Sequence, residues 1–188
     1  EAIAGGVVRT GIVRADSILI ADPDPGRCEH LRETYGFRVT YSNAEAAERG
    51  GTVFVAVKPQ VLADALEGIS HILKPDQLVI SIAAGIPLGS LETLLPGIPV
   101  IRSMPNTPAL VGAGATVITT GRSVDADMTH WAVELFHAVG ICQVLPEDLM
   151  DAVTALSGSG PAYMFRTAEA LIEAGMAAGI PEEQASDL

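Results

Sequence analysis

Three apolar runs in this sequence each end in a short loop of small or polar residues, and those loops are where it could do chemistry. Val53–Val57 runs into Lys58-Pro59-Gln60, and Leu78–Ser81 continues into Ile82-Ala83-Ala84-Gly85. Arg102-Ser103-Met104 leads into Pro105-Asn106-Thr107-Pro108. Read as strands of an open α/β sheet, these runs put their loops beyond the carboxyl ends, where such sheets bind ligands. The proline after Lys58 stops its strand abruptly. Small residues at Ala83 and Ala84 let a flat ring approach the backbone, or equally let strand and helix pack tightly. Two prolines bracket Asn106 and Thr107, fixing their polar groups at a strand end or simply stiffening a connector. Three such ends on one sheet edge favour a ligand crevice.

Two further stretches carry candidate groups. In Ile18-Leu-Ile-Ala-Asp22-Pro-Asp24, an acidic residue closes a strand. In a dinucleotide-binding sheet such a residue accepts hydrogen bonds from ribose hydroxyls. The competing reading is that Asp22 and Asp24 form the turn and cap the next helix. No glycine-rich phosphate loop is present to decide between them. Ser157-Gly-Ser-Gly-Pro-Ala-Tyr163 lies between two helix-like segments. Two glycines and a proline predict a sharp bend with a fresh helix start, Ser159 capping it and Pro161 in its first turn. The free amides of such a start attract a carboxylate or phosphate. Taken alone, the stretch reads as a plain helix–helix corner.

The elements that would position these groups alternate. Strands are predicted at Ser17–Asp22, Phe37–Thr40, Thr52–Val57, Leu78–Ala83, Val100–Met104, Ala115–Thr120 and Cys142–Leu145. Helices fall between them at Arg27–Tyr35 (closed by Gly36), Ala44–Arg49, Gln60–Ile72, Leu88–Leu95 and Asp125–Val139 (closed by Gly140). Several strands are almost wholly apolar, as in a parallel sheet covered on both faces. The expected fold is a doubly wound, Rossmann-type α/β domain with right-handed crossovers. After about Asp148 the strands stop, and Leu149–Leu156 and Pro161–Ala178 read as helices. The division is therefore 1–148 for the α/β domain and 149–188 for the beginning of a helical one. Glu1–Val8 reads as helix interior without an initiator Met, and Pro181–Leu188 as the opening turn of another helix, so both ends look cut.

Composition narrows the partners. A net charge of −12 and a pI near 4.6 argue against nucleic acid and anionic membrane surfaces. No apolar run approaches the roughly 18 residues needed to span a bilayer. The two cysteines, Cys28 and Cys142, have no metal-type spacing and suit a reducing, cytoplasmic compartment. The four histidines form no metal pattern, so no metal is expected.

Read in order, AVKPQ, SIAAG, MPNTP, GATVI, EDLMDAVTALSGSGPAY and EALIEAGMAAGI resemble pyrroline-5-carboxylate reductase through essentially the whole chain. The resemblance implies a Rossmann-type domain binding NADPH or NADH and a helical domain that dimerises by interlocking. It also implies an active site completed between subunits, in a homodimer or higher homo-oligomer. The implied reaction reduces Δ1-pyrroline-5-carboxylate to L-proline, the last step of proline biosynthesis. Cofactor contacts carried over are Asp22 at the adenosine 2′-substituent, Asn43 near the adenine ribose, and Ala56, Val57, Lys58 and Pro59 in the strand-end loop. Ile82, Ala83 and Ala84 would lie beside the nicotinamide, Asn106 in the adjoining loop, and Glu147 near the domain boundary. Met104, Thr107, Ser157, Gly158, Ser159 and Gly160 would wall the substrate chamber.

The departures matter too. The family's glycine-rich loop before Glu1 and its Ser/Gly/Thr-rich substrate segment after Leu188 are not in the sequence, so this stretch alone is expected to be inactive. An aspartate at position 22 would repel a 2′-phosphate and shift preference toward NADH, with Arg27 one turn on offsetting part of that repulsion. No catalytic acid is assigned. Thr154 is nearest by location, and helix packing accounts for it. The alternatives are another imine reductase or a β-hydroxyacid dehydrogenase of the same architecture, though Ala162–Ala178 lacks the lysine the latter would favour. A non-catalytic nucleotide-sensing module is the alternative of another class.

Overall fold

The computed structural model describes every residue from Glu1 to Leu188. Helix α1 (Ala2–Arg9) leads through a 3₁₀ turn into strand β1 (Leu19–Ala21), helix α2 (Pro25–Tyr35), strand β2 (Arg38–Thr40) and helix α3 (Asn43–Arg49). The start of α2 follows from two residues. Asp24 Oδ1 accepts the amides of Gly26 and Arg27 at 2.8 and 3.3 Å, and Pro25 supplies a preset φ in the first turn. Gly36 ends the helix in the left-handed conformation.

Next come β3 (Thr52–Val55), α4 (Leu62–Ser70), β4 (Leu78–Ser81), α5 (Leu88–Leu94), β5 (Val100–Met104), β6 (Gly114–Thr120), α6 (Ala126–His137) and β7 (Gly140–Val144). β1 and β2 pair in parallel as a two-stranded sheet, and the larger sheet runs β3-β4-β5-β6-β7. β3, β4 and β5 are parallel, as are β6 and β7, but β6 runs antiparallel to β5. The expected doubly wound sheet is thus parallel-dominated, with one antiparallel pair at β5–β6. The Met104–Gly114 connection holds only a 3₁₀ turn, Thr107–Val111. A parallel return needs a crossover of about a dozen residues or more, so the chain must double back.

Both faces of the sheet are covered, and the strands show why in alternation. Val55, Val79 and Val100 pack with Leu62, Leu66 and Ile69 of α4 and Leu88 and Leu91 of α5. Leu78, Ile80, Ile101 and Ile118 point the other way, against Val7 of α1 and Ala132, Leu135 and Phe136 of α6. All of β4 is buried.

Gly140 does not close α6 as expected. The helix ends at His137, and Gly140 opens β7 with φ of 150°. A Cβ there would overlap the Gly114 carbonyl oxygen, so glycine is required by the close approach of β6 and β7.

Beyond β7 the chain is helical: a 3₁₀ turn (Glu147–Leu149), α7 (Met150–Val153), a π-helical turn (Thr154–Gly158), α8 (Gly160–Ala177) and α9 (Glu182–Asp187). Met150 and Val153 dock this segment on Val117 of β6, with Met104 and Leu145 beside them. The expected bend falls at Ser159, and α8 starts afresh at Gly160 with Pro161 in its first turn, but the expected Ser159 cap is not made. Ser159 keeps helical angles (φ −88°, ψ −16°), its side chain caps nothing, and its amide bonds Thr154 O at 2.8 Å to close the π turn. Thr154 Oγ1 and Ser157 Oγ fold back on Met150 O and Val153 O, the i−4 back-bonding that accompanies bent helices. None of α8's residues is buried. No helix is long and apolar enough to cross a membrane.

Candidate active site

The carboxyl ends of β1, β3, β4 and β5 carry the candidate groups, and each is held by identifiable local forces. After β1, Asp22 Oδ1 accepts the Asp24 amide at 2.9 Å, forming the turn, while Asp24 alone caps α2. Asp22 is half-buried. Arg27 is ion-paired with Glu1, which also accepts the Tyr35 hydroxyl at 2.9 Å and meets His30 at 3.3 Å. The Tyr35 hydrogen bond first, then His30 and Arg27, lower the Glu1 carboxyl to about 2. Arg27's charge therefore already has a partner. Asn43 is the exposed first residue of α3, just after the Ser42 cap, whose Oγ accepts the Glu45 amide at 3.3 Å.

β3 stops at Val55, two residues earlier than the apolar run suggests, and the chain bends at Val57 before an extended Lys58. Pro59 then starts a 3₁₀ turn, so α4 begins at Leu62 rather than Gln60. Ala56 and Lys58 are exposed, and Val57 and Pro59 are half-buried.

At the β4 exit, Ile82 is half-buried and Ala84 exposed, while Ala83 is only 3% exposed and packs into the core. Beneath them lies a buried polar floor. Ser81 Oγ accepts the Ala83 amide at 3.3 Å, and Ser103 Oγ donates to Ser81 O at 2.8 Å. Gly85 turns the chain at φ 75°, with no atom within 4 Å of where a Cβ would stand.

A cleft of about 330 Å³ opens between the β4 and β5 exits. Its walls are Ile82, Pro105, Asn106, Thr107, Ala109, Leu110 and Gly158, with Glu1 to Ile3 of the α1 end. Of the residues singled out from sequence, Ile82, Asn106, Thr107 and Gly158 meet here. Asp22, Asn43 and Ala56 to Pro59 lie outside this cleft, at the ends of other strands. Met104 stands behind it, its Cε 2.6 Å from a Cβ placed on Gly158, which is why that turn of helix can sit so close. Ser157, Ser159, Gly160, Ala83 and Ala84 do not line it.

Asn106 joins the two halves. Its Nδ2 donates to Ser157 O at 3.0 Å and its Oδ1 accepts the Ala115 amide at 2.8 Å. Glu147 is occupied differently from the expected cofactor contact. Its Oε1 accepts from Arg102 at 2.6 Å and from the Leu88 amide at 2.9 Å. Arg102 went unassigned in the sequence reading. The available signal was an arginine inside an otherwise apolar strand.

Residues 1–85 match the family model described as NADP oxidoreductase, coenzyme F420-dependent, and residues 147–188 match that for pyrroline-5-carboxylate reductase dimerisation. The chain is 41% identical to the pyrroline-5-carboxylate reductase of a Synechocystis species, over all of this chain and 70% of that protein. It belongs to the pyrroline-5-carboxylate reductase family. The Mycobacterium leprae enzyme of the same name is also 41% identical, over all of this chain and 65% of its own length. The chain thus spans about two thirds of the length of the curated relatives it matches. Among solved structures, the Coxiella burnetii pyrroline-5-carboxylate reductase superposes with a TM-score of 0.89 at 33% identity, covering 98% of this chain and 69% of that one. The Plasmodium falciparum pyrroline carboxylate reductase, solved with NADP bound, gives 0.89 at 29%, covering 99% and 68%.

The edge suits the nicotinamide cofactor of this reductase family. An acidic side chain closes β1, the Gly85 turn is open, and a cleft of about 330 Å³ falls in the usual range for small-ligand sites, roughly 300–1,000 Å³.

Proposed function

We propose that this protein reduces Δ1-pyrroline-5-carboxylate to L-proline using reduced NAD(P)H. The observation that carries the reading is the cleft between Ile82 and the Pro105-Asn106-Thr107 loop, closed by Gly158 of the helical segment. It joins a cofactor edge to the start of a helical unit whose relatives are named for this reaction. We assign residues 1–148 to the cofactor domain and 149–188 to the opening of the substrate and dimerisation domain.

When bound, the reduced nicotinamide supplies the hydride that converts the C=N carbon of the imine to CH–NH. The chain's own residues orient and enclose. Asp22 is placed to accept ribose hydroxyls, with Asn43 and the Ala56–Pro59 loop along the same edge. Ile82 to Ala84, stiffened from below by Ser81 and Ser103, form the ledge beside the ring. Asn106 holds the chamber wall rather than touching substrate, since both ends of its amide are already bonded. Thr107 is exposed at the rim. The proton travels on the imine nitrogen, so orientation and exclusion of water are the main contributions asked of the protein. Two unpaired cysteines, Cys28 and Cys142, support a cytoplasmic setting.

The test is oxidation of NADH and NADPH by the intact protein with pyrroline-5-carboxylate, read as proline formed. Turnover supports the reading. A folded protein that turns over with neither cofactor overturns it.

A further inference from the structure

We propose that Arg102 is a positioning residue for hydride transfer, acting through Glu147 on the turn from Ile82 to Leu88. The proposal rests on the reductase reading above for what that turn faces.

Arg102 sits within β5, opposite Ser81 of β4 and Thr119 of β6, and is 5% exposed. A guanidinium keeps its charge at any ordinary pH, so burying it demands a partner. That partner is Glu147, at 2.6 Å, with Asp151 at 3.9 Å behind it. The same Glu147 oxygen does a second job. α5 begins directly after Pro87, which has no side-chain oxygen to cap it, and the first amide of the helix, Leu88 N, donates instead to Glu147 at 2.9 Å. A carboxylate 59 residues away in sequence therefore stands in for a cap. Its other oxygen, Oε2, is buried with no partner. That atom gains nothing where it stands, so Arg102 and Leu88 must hold the group there.

The consequence falls on the turn. One end is tied by the Ala83 amide to Ser81 Oγ, the other by Leu88 to Glu147. Between them Gly85 has open space around it. The second tie exists only while Arg102 keeps Glu147 in place. Because Glu147 opens the helical segment, the ion pair also makes the turn's position depend on how that segment docks.

The experiment uses the intact protein and the variants Arg102→Met, Arg102→Lys and Glu147→Gln. Amide hydrogen exchange reads the turn without reference to activity. In Arg102→Met the amides of Ala83 and Leu88, the turn's two tied ends, should exchange about tenfold faster or more, with Ile80 and Ile118 still protected. The kcat should fall by about 10- to 100-fold with little change in cofactor KM, as misplacement of a reacting group predicts. Arg102→Lys should restore part of both. Should Arg102→Met fail to fold, Glu147→Gln, of equal size, carries the same comparison. Unchanged exchange in the turn, or a kcat loss without loosening there, overturns the proposal. If the unaltered protein makes no proline, the reductase reading fails, while the exchange data still decide whether Arg102 holds the turn.

Discussion

Asn106 donates to the carbonyl of Ser157 at 3.0 Å, and that carbonyl is the one an α-helix would have paired with the amide of residue 161. Residue 161 is proline and has no amide to offer. The strand-end loop thus supplies the donor the helix lacks, and the π turn is fastened to the sheet by a bond its own sequence makes necessary. Asn106→Ala leaves both Ser157 O and the Ala115 amide without partners. It should lower stability by about 1–3 kcal/mol in urea unfolding. Asn106→Asp keeps the acceptor for Ala115 but turns an anionic oxygen on Ser157 O, so it should be no better than alanine. Wild-type midpoints for both would show that the bond contributes nothing.

Asp22 should set the cofactor preference. Its carboxylate is fixed by the Asp24 amide at the end of β1, and the nearby Arg27 is paired with Glu1. A 2′-phosphate arriving there meets a negative charge with the closest cation already engaged, so NADH should be preferred. Asp22→Ser removes the repulsion. It should raise the NADPH/NADH ratio of kcat/KM by about tenfold, the equivalent of roughly 1.4 kcal/mol. An unchanged ratio in the serine variant would remove Asp22 from the ribose site.

Cys142 gives a pH signature. Burial in the apolar packing beside α6 raises its thiol from 9.0 to about 11. The folded state then holds the proton more tightly than the unfolded state, so stability is full below about pH 9 and declines as pH rises toward 11. At pH 8 the folded protein should carry about 100-fold less thiolate at this position than a free thiol. Iodoacetamide labelling followed by mass spectrometry should be correspondingly slow, accelerating on denaturation. Labelling of native Cys142 at the rate of a free thiol would contradict the burial.

Most of the fold was legible because apolar runs and caps are local signals. Val79 and Ile80 alternate between two covered faces, and Asp24 caps α2 from its own turn. The antiparallel β5–β6 pair was missed although the short Met104–Gly114 connection implied it, because apolar periodicity says nothing of strand direction. Ser159 looked like a cap because glycine and proline read as a break. The bend and the new helix start at Gly160 are there, but no side-chain cap is made, and the missing donor comes instead from Asn106, elsewhere in the chain. In the site, strand-end loops could be named from sequence, whereas the Arg102–Glu147 pair joins residues whose meeting only the tertiary fold determines.

The last expectation concerns α8, which is helical over 18 residues without burying one. Met164, Phe165 and Leu171 are each about two thirds exposed, at 66, 68 and 69%, and with Ala168, Ile172 and Gly175 they recur at helical spacing as one stripe. Arg166 pairs with Glu169 and Glu173 on the opposite side. A stripe of this kind needs a covering surface, and the match of 147–188 to a dimerisation model supports a second copy of the chain as that surface. The intact protein should therefore sediment as a homodimer or larger homo-oligomer. Phe165→Glu combined with Leu171→Glu would have to bury two carboxylates against apolar surface and should dissociate it. Activity should fall with the same concentration dependence as the assembly, since the chamber wall at Gly158 leads directly into α8. A doubly substituted protein that keeps its mass in analytical ultracentrifugation would place the interface elsewhere.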